Sequence, residues 1–363
     1  MTDAVALPDY GAQRARFLAA VQRAGGALSH WRHPLPGPQG ETLYTDVALI
    51  GPAQASRLLV IISGTHGVEG YYGSESQIAW LDEYDPHALP PDTAAVLIHL
   101  INPWGTAWLR RVNEDNIDLN RNFVDFGQPL PVNADYEKYH AFYHGEREPA
   151  DCALAAVLGA QGWPAVKRVV EAGQYRHADG LFFGGVGESW SRQTLKQIIE
   201  RHFSHARRII SFDLHTGAGA WGHPMLLAIS ETPRPEQALA RQWFGEWLTV
   251  LFTGAERESD TGVTASATGY LSQFMLDSLP GVELTQLVIE CGTLSGEQMH
   301  QRVRADHWLH LAGDPLSPAG RAVKQALLAG FWPEDEDWRE LVALRTRQIF
   351  RRAWRALAES EPL

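Results

Sequence analysis

His66 and Glu69 stand three positions apart at the end of Val60-Ile-Ile-Ser-Gly-Thr-His-Gly-Val-Glu-Gly70. An imidazole and a carboxylate are both zinc ligands, and a β-branched apolar run halted by Gly reads as a buried strand delivering them at its carboxyl end. Hydrolytic zinc chemistry needs a third protein ligand, an open coordination position and a base. His215, in Ser211-Phe-Asp-Leu-His-Thr-Gly217, also sits where a buried strand gives way to a small-residue turn. Strand ends of this kind converge at one edge of a largely parallel open sheet, however far apart they lie in sequence.

Glu290 is the candidate base, because it ends the apolar run Leu287-Val-Ile-Glu. A carboxylate there is costly to bury unless it is paired, neutralised or placed at an open site. Activating a zinc-bound water is such a role: the carboxylate takes the water's proton during attack on a carbonyl and passes it to the leaving amine. The densest polar stretch of the chain, Asn102 to Phe123, holds Arg110 and Arg111. It offers guanidinium groups for an oxyanion or a substrate carboxylate, and carboxylates that could orient a ligating His.

These positions need elements to hold them. Helical spacing over 10–24 predicts an N-terminal helix, and Gly25-Gly26 with the Pro-rich 34–38 predicts a linker, so residues 1–40 stand apart from one domain over 41–363. Short apolar blocks at 42–50, 57–63, 94–101, 208–214, 225–229 and 286–290 predict strands buried on both faces. Helices are expected near 74–84, 234–252, 268–279, 297–312, 317–330 and 335–358. Residues 125–207 read as an insertion that shapes the pocket, with helices near 149–160, 164–172 and 191–203. Gly184-Gly185-Val-Gly187 lacks a phosphate-binding fingerprint and reads as a turn. The expected architecture is a three-layer α/β/α fold with a central mixed, mostly parallel sheet.

The 363 residues are 45% hydrophobic with 13 Trp, enough for a large core, and the formal charge of −12 argues against nucleic acid or anionic membrane as partner. Cys152 and Cys291 are too few for a disulfide framework and read as inert thiols. The first residues lack a basic start and an apolar core, and no 18-residue apolar run occurs later, so cytoplasmic residence is the expectation. No Gly-x-Ser-x-Gly elbow supports a serine hydrolase.

In order, His-x-x-Glu, Asn-Pro-x-Gly, Arg, Asp-x-Asn-Arg, a distant His after a strand and a Glu ending a late strand resemble the zinc carboxypeptidase family, peptidase family M14. Gly64-Thr-His-Gly-Val-Glu-Gly70, Trp108-Leu-Arg-Arg-Val-Asn-Glu and Asp118-Leu-Asn-Arg-Asn-Phe123 are similar, more narrowly, to its bacterial DUF2817 branch. The resemblance covers residues 42–295. It implies one Zn2+ on His66, Glu69 and His215, with Asp118 behind the ring of His66. It implies Asn120 and Arg121 as a grip on a substrate carboxylate, Glu290 as base and acid, and an oxyanion-stabilising Arg. Both Arg110 and Arg111 lie in that interval, with Arg111 slightly favoured. Tyr270, twenty residues before Glu290, stands near the family's mobile capping Tyr, at a loosely aligned position.

The expected activity is therefore that of a zinc-dependent hydrolase of an amide bond, carboxypeptidase-like, acting on a peptide through metal-activated water. Asp213-Leu-His215 resembles another branch, the aspartoacylases and succinylglutamate desuccinylases, which makes N-acyl amino acid deacylation the alternative. A non-catalytic zinc or peptide-binding module is the rival from another class, and the presence of Glu290 argues against it.

Overall fold

The computed structural model describes residues 7–85, 90–143, 160–253 and 267–359. Cys152 and the helix expected near 149–160 lie outside them. Eight strands form one sheet: β1 (Ala27–Pro36), β2 (Thr42–Ile50), β3 (Arg57–Ile62), β4 (Thr93–His99), β5 (Arg208–Thr216), β6 (Pro224–Ser230), β7 (Leu248–Phe252) and β8 (Glu283–Cys291). Their spatial order is β1-β2-β4-β3-β5-β8-β6-β7. The central run β4-β3-β5-β8 is parallel throughout, and β6 pairs parallel with β7. The pairings β1-β2, β2-β4 and β6-β8 are antiparallel.

The run Leu58-Leu-Val-Ile-Ile62 shows why the core has two halves. Successive strand residues point to opposite faces, so Leu59 and Ile61 join one apolar cluster while Leu58, Val60 and Ile62 join another. The first cluster is covered by the helices Tyr10–Arg23, Gly70–Glu83, Glu236–Phe244 and Glu336–Glu359, through side chains such as Phe17, Tyr72, Phe244 and Trp338. The second lies beneath Trp190–His202 and Leu271–Ser278, through Leu195, Ile198, Leu271 and Met275. The result is the three-layer arrangement that doubly buried strands require.

Two elements differ from the sequence-based expectation. The expected linker after the N-terminal helix is in fact β1, an edge strand whose residues 27–32 pair with β2, with an irregularity before Pro36. The helix expected over 234–252 stops at Phe244, where Gly245 takes φ 60°, and the chain continues into β7. No described helix is long and apolar enough to cross a membrane.

Candidate active site

β3 ends at Ile62, Gly64 turns the chain with φ 72°, and His66 precedes a single 3-10 turn, Gly67–Glu69, that runs into the helix Gly70–Glu83. That turn is pressed against the loop carrying the two arginines. Gly67 N–H donates to Arg111 O (3.2 Å) and Val68 N–H to Arg110 O (2.8 Å). A Cβ on Gly67 would overlap the backbone of Gly105, so only glycine permits the approach.

Register brings the other groups to the same place. Ile62 of β3 lies opposite Asp213 of β5, and His215 lies opposite Glu290 of β8. His66 Nδ1 and His215 Nδ1 face each other at 3.2 Å. Glu69 places Oε1 2.8 Å from the first and Oε2 3.0 Å from the second. Each ring turns its other nitrogen to a carboxylate: His66 Nε2 to Asp118 Oδ1 (3.3 Å), and His215 Nε2 to Asp213 Oδ2 (2.7 Å). Thr65 Oγ1 donates to the remaining oxygen of Asp213 (2.7 Å). With Nε2 of each ring beside a carboxylate, the two Nδ1 atoms and the Glu69 oxygens face one point, an arrangement that a shared cation satisfies. Two imidazoles and a carboxylate, their ligand atoms within 4.8 Å of one another, form a donor set suited to zinc.

The electrostatics agree. Burial penalises the Glu69 carboxylate, but the imidazoles of His66 and His215 outweigh it and hold the group well below the usual range. Burial likewise disfavours a charged His215, yet Asp213 and Glu69 raise its affinity for a positive charge well above that of an ordinary imidazole. Glu290 goes the other way. Burial and the nearby Glu69 push it up to about 8, although its Oε1 accepts from Ala218 N–H (3.0 Å).

Glu290, His66, Glu69 and His215 line one cavity of about 170 Å³, together with Arg111, Asn120, Arg121 and Tyr270. Arg111 reaches it by pairing Nε with Asp118 Oδ2 (2.9 Å). Arg110 is not among the lining residues. It points into the protein, to Asp306 Oδ2 (3.1 Å) and Asn116 Oδ1 (3.3 Å), which corrects its candidacy as an oxyanion group. Arg121 donates to the backbone carbonyls of Asn120 and Glu171, and Tyr270 lies over it with the guanidinium carbon 5.2 Å from the ring centroid. Gly269, with φ 82°, lets the Tyr270 loop pass against the Arg121 backbone. Asn120 Oδ1 accepts from Leu271 N–H (3.0 Å), which ties that loop down.

Sequence reasoning passed over four residues here: Asp213 and Thr65 behind His215, and Lys167 and Glu171 on the cavity wall. The last two come from the helix Trp163–Val170 and its C-terminal cap, inside the segment read as a pocket-shaping insertion. The Gly184–Gly187 turn serves packing, since Asn122 Nδ2 donates to the carbonyls of Gly184 and Gly187.

No curated protein matches the sequence. Among solved structures, the chain is similar to carboxypeptidase A from Helicoverpa armigera, at 14% identity over 89% of this chain and 74% of that one, with a TM-score of 0.47. It is similar to bovine thrombin-activatable fibrinolysis inhibitor at 11% identity, over 95% and 98% of the two chains, with a TM-score of 0.43. It is also similar to the murein-tripeptide amidase of Escherichia coli O157 at 17% identity, over 79% and 90%, with a TM-score of 0.35. Similarity at this level assigns no activity. The model of one family, described as "Protein of unknown function (DUF2817)", matches residues 7–345, and the chain belongs to that family.

Proposed function

We propose that the protein is a metal-dependent amide hydrolase whose substrate presents a free carboxylate. The observation that carries this reading is the pair of Nδ1 atoms 3.2 Å apart, bridged by Glu69, opening on the same cavity as Glu290. A zinc ion on His66, Glu69 and His215 would supply Lewis-acid polarisation of a carbonyl and make water more acidic.

The chain's own residues supply the rest. Glu290 takes the proton of the attacking water and returns it to the departing nitrogen, and burial has already raised its proton affinity toward neutral pH. Arg111, anchored on Asp118, presents its guanidinium to charge developing on the carbonyl oxygen. Arg121 and Asn120 hold the substrate's carboxylate, with Tyr270 closing over the Arg121 face. Asp118 and Asp213 fix the tautomer of each imidazole.

Two substrate classes fit. A carboxypeptidase-like reaction on a peptide is the simpler. Deacylation of a small N-acyl amino acid gains support from Lys167 and Glu171, which add further charged groups to the cavity wall beside Arg121. A panel of C-terminal dipeptides assayed against N-acyl amino acids separates them. The parent reading is tested by Glu290→Gln, which should retain zinc by elemental analysis and lose about 100-fold or more in kcat. Unchanged turnover in this variant, or a wild-type protein that takes up no metal, would overturn it.

A further inference from the structure

A second group of imidazoles lies apart from the cavity. The helix Glu137–Tyr143 places Glu137 and His140 one turn apart, and the stretch between Gln174 and Phe182 brings His177 and Asp179 to them. The rings of His140 and His177 stack with centroids 3.8 Å apart and planes 24° from parallel. His140 Nε2 is 3.0 Å from Asp179 Oδ1, and His177 Nε2 is 2.9 Å from Glu137 Oε1. Ligand atoms of His140, His177 and Asp179 all lie within 4.8 Å of one another. Both imidazoles are only 19% exposed.

Two imidazoles and a carboxylate with ligand atoms this close form a donor set suited to a divalent ion of the zinc type, and Glu137, paired with Arg176 Nη1 (2.9 Å), stands beside it. The backbone is also held in place by other contacts. Asn116 Nδ2 donates to Ala178 O and Gly180 O (2.9 Å each), His307 Nε2 meets Asp179 O at 2.8 Å, and Gln174 Oε1 accepts from the N–H groups of Arg176 and His177. A ligand loop pinned in this way loses less freedom when an ion binds.

We propose that His140, His177 and Asp179 form a second divalent-cation site of the zinc type, separate from His66, Glu69 and His215. Three protein donors leave a fourth position for water. The bound ion joins the Glu137–Tyr143 helix to the 174–182 stretch, stiffening the segment that also carries Lys167 and Glu171 to the cavity wall.

The test is a zinc count on the full chain after chelator stripping and dialysis against Zn2+. Two ions per wild-type chain are expected, one in His66→Ala and one in a His140→Ala/His177→Ala double variant. A folded His66→Ala protein that holds no zinc overturns the second site, as does a double variant that has lost none. Failure of the first centre reads differently, as a zinc count that His66→Ala leaves unchanged. If the double variant does not fold, Asp179→Asn in competition with a chromophoric chelator decides. Loss of about tenfold or more in the second affinity supports the site, and an unaltered affinity refutes it.

Discussion

Arg110 and Arg111 are neighbours in the chain and face opposite ways, one into a buried ion network and the other into the cavity. Leu109 before them is held in the left-handed region at φ 50°, and its carbonyl accepts from Lys324 Nζ (3.5 Å). Arg111→Ala should lower kcat about 100-fold or more, the loss typical of removing one oxyanion donor. Arg110→Ala should spare kcat and cost about 1–3 kcal/mol of stability, because it removes a buried charged hydrogen bond to Asp306 while Lys324 still pairs with that carboxylate. Steady-state kinetics beside urea unfolding of both variants tests the contrast, and equal kinetic losses would contradict it. As the proposed general base, Glu290 must be ionised to act, so the rate should fall as pH drops through its pKa. That limb should lie below about 8, because a cation on the neighbouring ligands opposes the charge of Glu69 that raised it. A pH profile of kcat/KM measures it, and Glu290→Gln should abolish it. His66, Glu69, His215 and Glu290 could be picked out as candidates because each follows or ends an apolar run. The orientation of the arginines was not, since Asp306 lies 196 residues away from Arg110. Asp213 carried an unused signal: residues i and i+2 of a strand share a face, so it had to stand beside His215.

At the scale of elements, the central strands announced themselves as β-branched runs, and the failures came at the sheet's margins. β1 reads Ala-Leu-Ser-His-Trp-Arg-His-Pro-Leu-Pro, polar and proline-bearing as edge strands are, and such a segment resembles a linker until its partner is known. β7 has only five residues, and its Leu-Thr-Val-Leu-Phe run continued a helical pattern. The stop at Gly245 was the available clue. The 3-10 turn that presents His66 and Glu69 depends on contact between Gly67 and Gly105. Gly67→Ala should push that turn off the arginine loop and weaken zinc binding by about 10- to 100-fold with helix content intact. Zinc titration together with circular dichroism checks this, and wild-type affinity would show that the turn can yield.

At the scale of the whole molecule, several imidazoles are buried and kept neutral. Burial holds His99, stacked on Phe17 at 4.0 Å, down to about 3; it also lowers His300 to about 3 and His307 to about 4. Their folded pKa values lie below the unfolded value of 6.5, so between those limits the unfolded chain binds more protons and stability falls as pH falls. Each contributes up to about 1.4 kcal/mol of loss per pH unit in that window. Urea midpoints should drop from pH 6.5 to about pH 5, before most carboxylates titrate, and His99→Gln should flatten the slope. A midpoint constant over that range would count against neutral burial. The β3-β5 register has a consequence for assembly. The nitrogens that meet at 3.2 Å are 149 residues apart, and the ladder joining them closes a loop of that length. Contacts so distant in sequence form late, after local helices and hairpins, because loop-closure entropy must be overcome first. The proposed metal centre is thus a product of the finished sheet and cannot nucleate it. In refolding, zinc uptake should lag helix formation and coincide with the docking of β5.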